Sequence, residues 1–334
     1  MKKNIGLIGA GYWGQNLIRV FSELGVLKII CDLNKNVLLE RKKEYPYLKT
    51  TTNFDDILKD KTIEGVVISA PAALHYKLTK KSLFAGKDVF VEKPLALKVK
   101  EAEELVKIAK NNKKILMVGH LLLYHPAIKK VKELIKNKEL GEVRYIYSNR
   151  LNFGKLRTEE NVLWSFAPHD IAVILDLIED ILGMPKKVNV IAVGKNYLQK
   201  RIPDVTLSFL EFEKNKAAHI FVSWLNPFKE QKLSIIGSKG MVVFDDQSKE
   251  KLTLFKHKIR WKKEIPEAIK DKGKVIKIAN KEPLKEEAKH FLECIKKRKR
   301  AITDGREGLE VLKILDACQR SMDNNGKSIF LKSN

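Results

Sequence analysis

The chain has 334 residues, with 65 Lys or Arg against 41 Asp or Glu and a formal net charge of +24. That length allows two domains and a large buried core, and no apolar run approaches the ~18 residues of a membrane span. The first residues lead straight into a strand pattern and not a signal peptide, and the three cysteines (Cys31, Cys294, Cys318) have no CxxC spacing, so a cytoplasmic protein is expected, with no membrane contact, no disulfide frame and no metal site.

The positive charge itself does not make a nucleic-acid binder. Lys is spread along the whole chain beside Glu, as on a solvated surface. The densest run, Lys296-Lys297-Arg298-Lys299-Arg300, ends a helical pattern, where cations favour the dipole. It has no interleaved aromatics, so no specific nucleic acid is expected. Steering of an anionic small substrate is the alternative use of such a charge.

In chain order, strands are predicted at Asn4–Ile8, Leu27–Cys31, Gly65–Ser69, Asp88–Val91 and Ile115–Gly119, with helical patterns between them. In Ala102–Lys110, Leu105, Ile108 and Ala109 form one stripe. The strands are apolar on both faces, as a parallel sheet covered by helices requires. After His120 the pattern changes. A helix is predicted at Pro126–Asn137, a strand at Glu142–Arg150 and a helix from Pro168 to Glu179. Strands follow at Lys187–Val193, Val205–Glu213, Ala217–Trp224, Lys232–Gly237, Met241–Asp245 and Leu252–Lys256, then helices at Leu284–Lys297 and Arg306–Asn324. The fold class expected is an α/β Rossmann domain, a doubly wound parallel sheet, over residues 1–120. It is followed over 121–334 by an α+β domain whose large open sheet is a mostly antiparallel meander, used for substrate binding and oligomerisation.

The first strand runs into Gly9-Ala10-Gly11-Tyr12-Trp13-Gly14, and the second closes on Asp32. Strand, glycine turn, helix and acidic residue is the spacing of a dinucleotide site. Gly9 permits the tight turn, Gly11 lets a pyrophosphate approach the backbone, and Gly14 lets the helix pack close. Asp32 can accept from both ribose hydroxyls and would repel a 2′-phosphate, so NAD is expected over NADP. The plain alternative is a glycine-rich turn without ligand.

Ligands of a doubly wound sheet bind beyond the carboxyl ends of its strands. Three of those ends carry Ser69-Ala70-Pro71 with His75, Glu92-Lys93-Pro94, and Gly119-His120. Pro94 restricts Lys93 to extended geometry, and a Lys beside a cationic nicotinamide suits proton handling. An ordinary surface Lys is its alternative. A second cluster is Trp164-Ser165-Phe166-Ala167-Pro168-His169-Asp170. Pro168 is expected in the first turn of a helix, with His169 and Asp170 projecting from its start. There His169 can take a hydroxyl proton, or the pair can serve only as a packed His and a capping Asp.

Together the glycine turn, Ala70-Pro71 with His75, Glu92-Lys93-Pro94 and His169 resemble the Gfo/Idh/MocA oxidoreductase family over essentially the whole chain. The resemblance implies a C-terminal open sheet that packs sheet-to-sheet in a homodimer or homotetramer. It also implies Lys93 and His169 as the catalytic pair beside nicotinamide C4. Many members carry Asp four residues before that His. Ser165 stands there in this chain, which leaves His169 as base and Lys93 as orienting donor. The cofactor set so implied is Gly9, Gly11, Tyr12, Trp13, Gly14, Asp32, Ala70, Pro71, His75, Glu92, Lys93 and Trp164.

Residues 148–154, Arg157, 164–170 and 223–229 further resemble the branch that oxidises UDP-N-acetylhexosamines, most of all UDP-N-acetylglucosamine 3-dehydrogenases. That branch makes a UDP-3-keto sugar ready for transamination, which implies an aminotransferase downstream. Two arginines, Arg150 and Arg157, suit a diphosphate, and Asn149, Asn152 and Asn161 offer amides to a sugar. The substrate set is completed by Tyr124, Lys229, Ser165, Lys93 and His169. The alternatives are a plain salt bridge for Arg150 and simple exposure for Lys229. Rival functions are a dehydrogenase of a UDP-N-acetylhexosaminuronate, a free sugar or an inositol, a non-catalytic NAD-sensing or partner-binding protein, and a polyanion binder.

Overall fold

Short apolar runs alternating with amphipathic helices build the first part of the computed structural model, which describes residues 3–154 and 156–332. In chain order these elements are β1 (Ile5–Ile8), α1 (Gly14–Glu23), β2 (Leu27–Cys31), α2 (Lys35–Glu44), β3 (Lys49–Thr51), α3 (Phe54–Lys59), β4 (Gly65–Ile68), α4 (Ala72–Phe84), β5 (Asp88–Val91), α5 (Val99–Asn111) and β6 (Leu116–Val118). All strand pairs are parallel, in the order β3-β2-β1-β4-β5-β6. β1, β4 and β5 are buried along their whole length, as strands covered on both faces must be. The order reverses beside β1, which is the switch point of a doubly wound sheet.

The remaining elements are α6 (Pro126–Lys136), β7 (Val143–Leu151), α7 (Val162–Leu182), β8 (Lys187–Lys195), β9 (Val205–Phe212), β10 (Lys216–Ser223), β11 (Glu230–Gly237), β12 (Met241–Asp245), β13 (Leu252–Phe255), β14 (Lys258–Lys262), β15 (Ile265–Ile269), β16 (Lys274–Val275), α8 (Pro283–Lys297), α9 (Gly305–Asp323) and β17 (Ile329–Lys332). A nine-stranded sheet runs β16-β13-β12-β11-β7-β10-β9-β8-β17. One continuous row of neighbours, Val190, Leu210, Ala218, Ile146, Ile235, Val242 and Leu254, is buried. α7 packs on the sheet at β7, β9 and β10 with Ile171, Ile174 and Ile178 buried. In the adjacent row Ile191, Phe209, His219, Tyr147 and Val243 are half-buried, and Ser234 between the last two is buried. Alternation of this kind is the signature of a sheet with one covered face.

The sheet is not a simple meander. β7 inserts between β10 and β11, and its pairing with β10 is parallel. Long-range pairing of this kind leaves no trace in local periodicity. The division of the chain also differs from 1–120 and 121–334. One compact unit runs to Tyr124 and takes up Lys281–Leu312. The other holds His125–Asn280 and the chain from Lys313 onward. Apolar packing draws α8 to the first unit. Phe291 meets Phe90 of β5 edge-on at 5.8 Å, and the Arg298 guanidinium pairs with buried Asp88 at 2.6 and 3.0 Å.

Candidate active site

The glycine turn follows β1 directly. Gly9 has φ +91°, and a Cβ there would lie 2.6 Å from the Ala70 nitrogen. A Cβ on Gly14 would lie 1.9 Å from the Gly9 carbonyl oxygen. Both positions therefore exclude any side chain. Gly11 has no atom within 4 Å of its would-be Cβ and is exposed. That open space beside the start of α1 is what a pyrophosphate needs. Ser69 Oγ donates to the Gly9 carbonyl at 2.7 Å and ties the turn to the end of β4.

Asp32 follows β2 and grips the same turn. Its Oδ2 accepts from the Ala10 N–H at 2.7 Å, and Oδ1 from the Asn34 N–H at 2.8 Å. The carboxylate is thus preoriented, with lone pairs left for ribose hydroxyls. At the next strand ends, His75 is buried between two carbonyl oxygens, with Nδ1 2.7 Å from Pro94 O and Nε2 2.8 Å from Ala70 O. It clasps the turn after β4 to the residues after β5.

Glu92, at the end of β5, is 8% exposed. The Trp13 indole N–H donates to its Oε1 at 2.6 Å. Burial pushes its carboxyl up to about 7, against the pull of Trp13, Lys93 and His120. Lys93 is half-buried, and Pro94 follows through a cis peptide bond. His120 is buried, with Nδ1 2.7 Å from a Glu307 oxygen.

In the second unit the conspicuous group is Asp170. It is 4% exposed and accepts from Ser148 Oγ at 2.5 Å and from Arg150 Nε at 2.6 Å and Nη2 at 3.2 Å. This joins α7 to β7 next to His169, which is half-buried. The Asn152 N–H donates to Ser223 O at 3.0 Å, and Leu151 pairs with Glu230 in the register. Residues 148–152, 165–170 and 223–230 are therefore neighbours in space.

Two segments of the sequence match one family: its NAD-binding Rossmann fold over residues 3–120 and its C-terminal alpha/beta domain over residues 132–329. The chain belongs to the Gfo/Idh/MocA oxidoreductase family.

Within this family the chain is 27% identical over 206 residues to a scyllo-inositol 2-dehydrogenase (NADP(+)), IolW, of Bacillus subtilis, covering 58% of this chain and 56% of that protein. Among solved structures it resembles UDP-N-acetylglucosamine 3-dehydrogenase GnnA of Acidithiobacillus ferrooxidans, with TM-score 0.82, 22% identity and coverage of 96% and 98%. It also resembles the WlbA dehydrogenase of Bordetella pertussis, crystallised with NADH and UDP-GlcNAcA, with TM-score 0.80, 21% identity and coverage of 100% of each chain. The two-domain fold and the NAD-binding Rossmann domain are those of the Gfo/Idh/MocA family.

Several sequence-predicted site residues take other positions in this Gfo/Idh/MocA chain. Pro168 does not open a helix. α7 begins at Val162 with Asn161 as its cap, and Pro168 lies inside it. His169 thus sits mid-helix; the proline is tolerated because α7 is apolar and extensively buried, so packing offsets the lost backbone bond. The Asn161 side chain caps the Trp164 N–H at 3.2 Å and donates to Gln319 at 2.8 Å, so its amide is already engaged. The Trp164 indole donates to the same Gln319 oxygen at 3.1 Å. Tyr124 lies in the core of the first unit, with its hydroxyl 3.1 Å from Thr303 Oγ1, because burying the ring requires a partner for that hydroxyl. Arg150 is committed to Asp170.

Ser165 is buried, Asn152 half-buried, and Lys229 exposed. Arg157 is exposed and meets Glu160 at 3.1 Å. Tyr12 and Pro71 are exposed, Trp13 is 38% exposed, and Ala70 is half-buried. Gln319 and Glu287 were not singled out by sequence; Ser69 and Asp170 stood inside the sequence motifs, Asp170 as a capping residue and not as the buried partner of Ser148 and Arg150.

Proposed function

We propose that the protein is an NAD-dependent dehydrogenase that oxidises a hydroxyl, at C3, of a UDP-N-acetylhexosamine, with UDP-N-acetylglucosamine as its substrate. The reading is carried by one observation. The three segments that resemble the UDP-amino-sugar branch converge through the Ser148–Asp170–Arg150 bonds and the Asn152–Ser223 bond. The full-length likeness to folds such as GnnA and WlbA supports it.

Bound NAD supplies the hydride acceptor; the residues suited to hold it are Gly11, with its open approach, and Asp32, fixed on the turn. Lys93 acts as the donor that orients the substrate oxygen. His169 takes the hydroxyl proton, and Asp170, locked to β7, orients its neighbour by fixing the helix. An aminotransferase is the expected consumer of the keto product, and a homodimer or homotetramer the expected assembly. Among the described residues no helix is long and apolar enough to cross a membrane.

The test is absorbance at the reduced-nicotinamide band with NAD and UDP-N-acetylglucosamine, beside UDP-glucose and free N-acetylglucosamine. An aminotransferase and glutamate draw the product forward. A signal confined to UDP-N-acetylglucosamine is expected. Equal rates without the UDP group would refute the nucleotide-sugar reading. A second reading, oxidation of a free sugar or an inositol, is favoured by the commitment of Arg150 to Asp170, which removes one of two arginines from a diphosphate. It predicts turnover of inositols and indifference to UDP.

A further inference from the structure

Beside Glu92 the first unit buries a second carboxyl group that the proposed reaction does not use. Glu287, on α8, is 1% exposed, and both its oxygens lack a hydrogen-bond partner among the described residues. A buried ionised carboxylate left this way carries its full desolvation cost. The groups acting on it are carboxylates: Glu92 after β5 and Glu307 on α9. The Tyr124 phenol is close enough to feel Glu287 and is pushed up by burial first and then by Glu287. His120 is bonded to Glu307 and acts on Glu92. Burial and both neighbours drive Glu287 toward its neutral form.

Glu92 differs because three groups favour its charge. Trp13 donates to Oε1, the Lys93 backbone N–H donates to the carboxylate, and the Lys93 and His120 charges attract it. A Cβ on Gly119 would lie 2.9 Å from Glu92 Oε2, so the strand end after β6 leaves just enough room for this side chain. Two like charges in one dry site are avoided when one of the two groups keeps its proton.

We propose that Glu92 and Glu287 form an acid–carboxylate couple, in which Glu287 keeps its proton and Glu92 carries the single negative charge that positions the Lys93 ammonium. The proposal rests on the reading of Lys93 as orienting donor and makes both glutamates positioning residues. Through the Trp13 indole, the same charge is anchored to the glycine turn. When the first proton leaves, it goes to solvent from Glu92; the second stays on Glu287. Lys93 is then positioned by a fixed anion, which leaves proton removal to His169.

The test is infrared spectroscopy of the full-length protein in deuterated buffer, with turnover as a second arm. At pH ~8, well above the ordinary carboxylate range, the wild type should keep one buried protonated-carboxyl band. Glu287→Gln should abolish it, and Glu92→Gln should keep it. On acidification through about 7 a second band should grow in the wild type and be lost in Glu92→Gln. A melting curve verifies that each variant folds. Glu287→Met, of similar length, serves as a second removal of the band. Absence of the band at pH ~8, or its survival in Glu287→Gln and Glu287→Met, would overturn the couple. Bands behaving as expected without turnover of any sugar would support the couple and refute the dehydrogenase reading.

Discussion

Replacing Asp170 should loosen the joint between α7 and β7, and the magnitude follows from the geometry. Its carboxylate is 5% exposed and the Arg150 side chain 12% exposed, with the Nε bond at 2.6 Å and a second bond at 3.2 Å. Asp170→Ala leaves a buried guanidinium uncompensated, which costs about 3–5 kcal/mol. Loss of the Ser148 acceptor adds about 1 kcal/mol. The double replacement Arg150→Met with Asp170→Leu removes both charges and should recover most of that loss. Hydrogen exchange of amides in 143–151 suits a chain with two units, because it reports local opening. Exchange there should accelerate by about three to four powers of ten in Asp170→Ala and return near wild type in the double variant. Arg157→Ala, which breaks only the exposed pair with Glu160, should change stability by less than about 1 kcal/mol. Exchange in Asp170→Ala within about threefold of wild type would refute a stabilising buried pair.

Gly14→Ala must displace the Gly9 carbonyl, since the new Cβ would meet it at 1.9 Å; NAD affinity by fluorescence titration should fall at least about tenfold, with a lower melting temperature. Asp32→Ala frees the Ala10 N–H and removes the ribose acceptor, so the NAD dissociation constant should rise and the NAD over NADP preference narrow, as read by paired titrations; no change in either would place the ribose elsewhere. His169→Ala should lower turnover by about two or more powers of ten with NAD affinity nearly intact, and unchanged turnover would remove it from the mechanism. Glu92 holds its proton more tightly folded than unfolded, so its stabilising contribution is complete below about pH 4.5 and is lost as pH rises through about 7. That rise corresponds to roughly 3 kcal/mol. Glu92→Gln should gain about this much on the wild type between about pH 4.5 and pH 8 in urea unfolding, and parallel pH profiles would refute the assignment.

The Rossmann half was legible because its signals are local. Apolar strands, amphipathic stripes and a glycine turn each occupy a few consecutive residues, and Gly9 and Gly14 make the close approaches that their spacing implies. What escaped was non-local, short or, in the β14–β15 hairpin, exposed on both faces. β3 is three residues at a sheet edge, and β16 only two. The place of β7 between β10 and β11 is decided by strands about 80 residues downstream. The return of α8 rests on Phe291 meeting Phe90 across the fold. Site chemistry followed the same division. His169 and Lys93 stood in recognisable motifs, whereas the tertiary partners that commit Arg150, Asn161 and Tyr124 did not. Pro168 misled because proline is common in a first helical turn, while the burial that sustains it inside α7 is a property of the assembled core.

The interrupted sequence of the NAD-binding unit has a consequence for biosynthesis. Phe90 of the central sheet is buried against a helix that belongs to Lys281–Leu312. At roughly 5–20 residues per second, the ribosome takes on the order of ten to forty seconds to pass from Tyr124 to Leu312. Throughout that interval the nascent sheet lacks one of its covering helices and offers an apolar face to the solvent around the exit site. A fragment ending near residue 124 would carry the same bare face permanently. Chaperone engagement on the ribosome, and precipitation of such a fragment when expressed alone, follow from the route the chain takes.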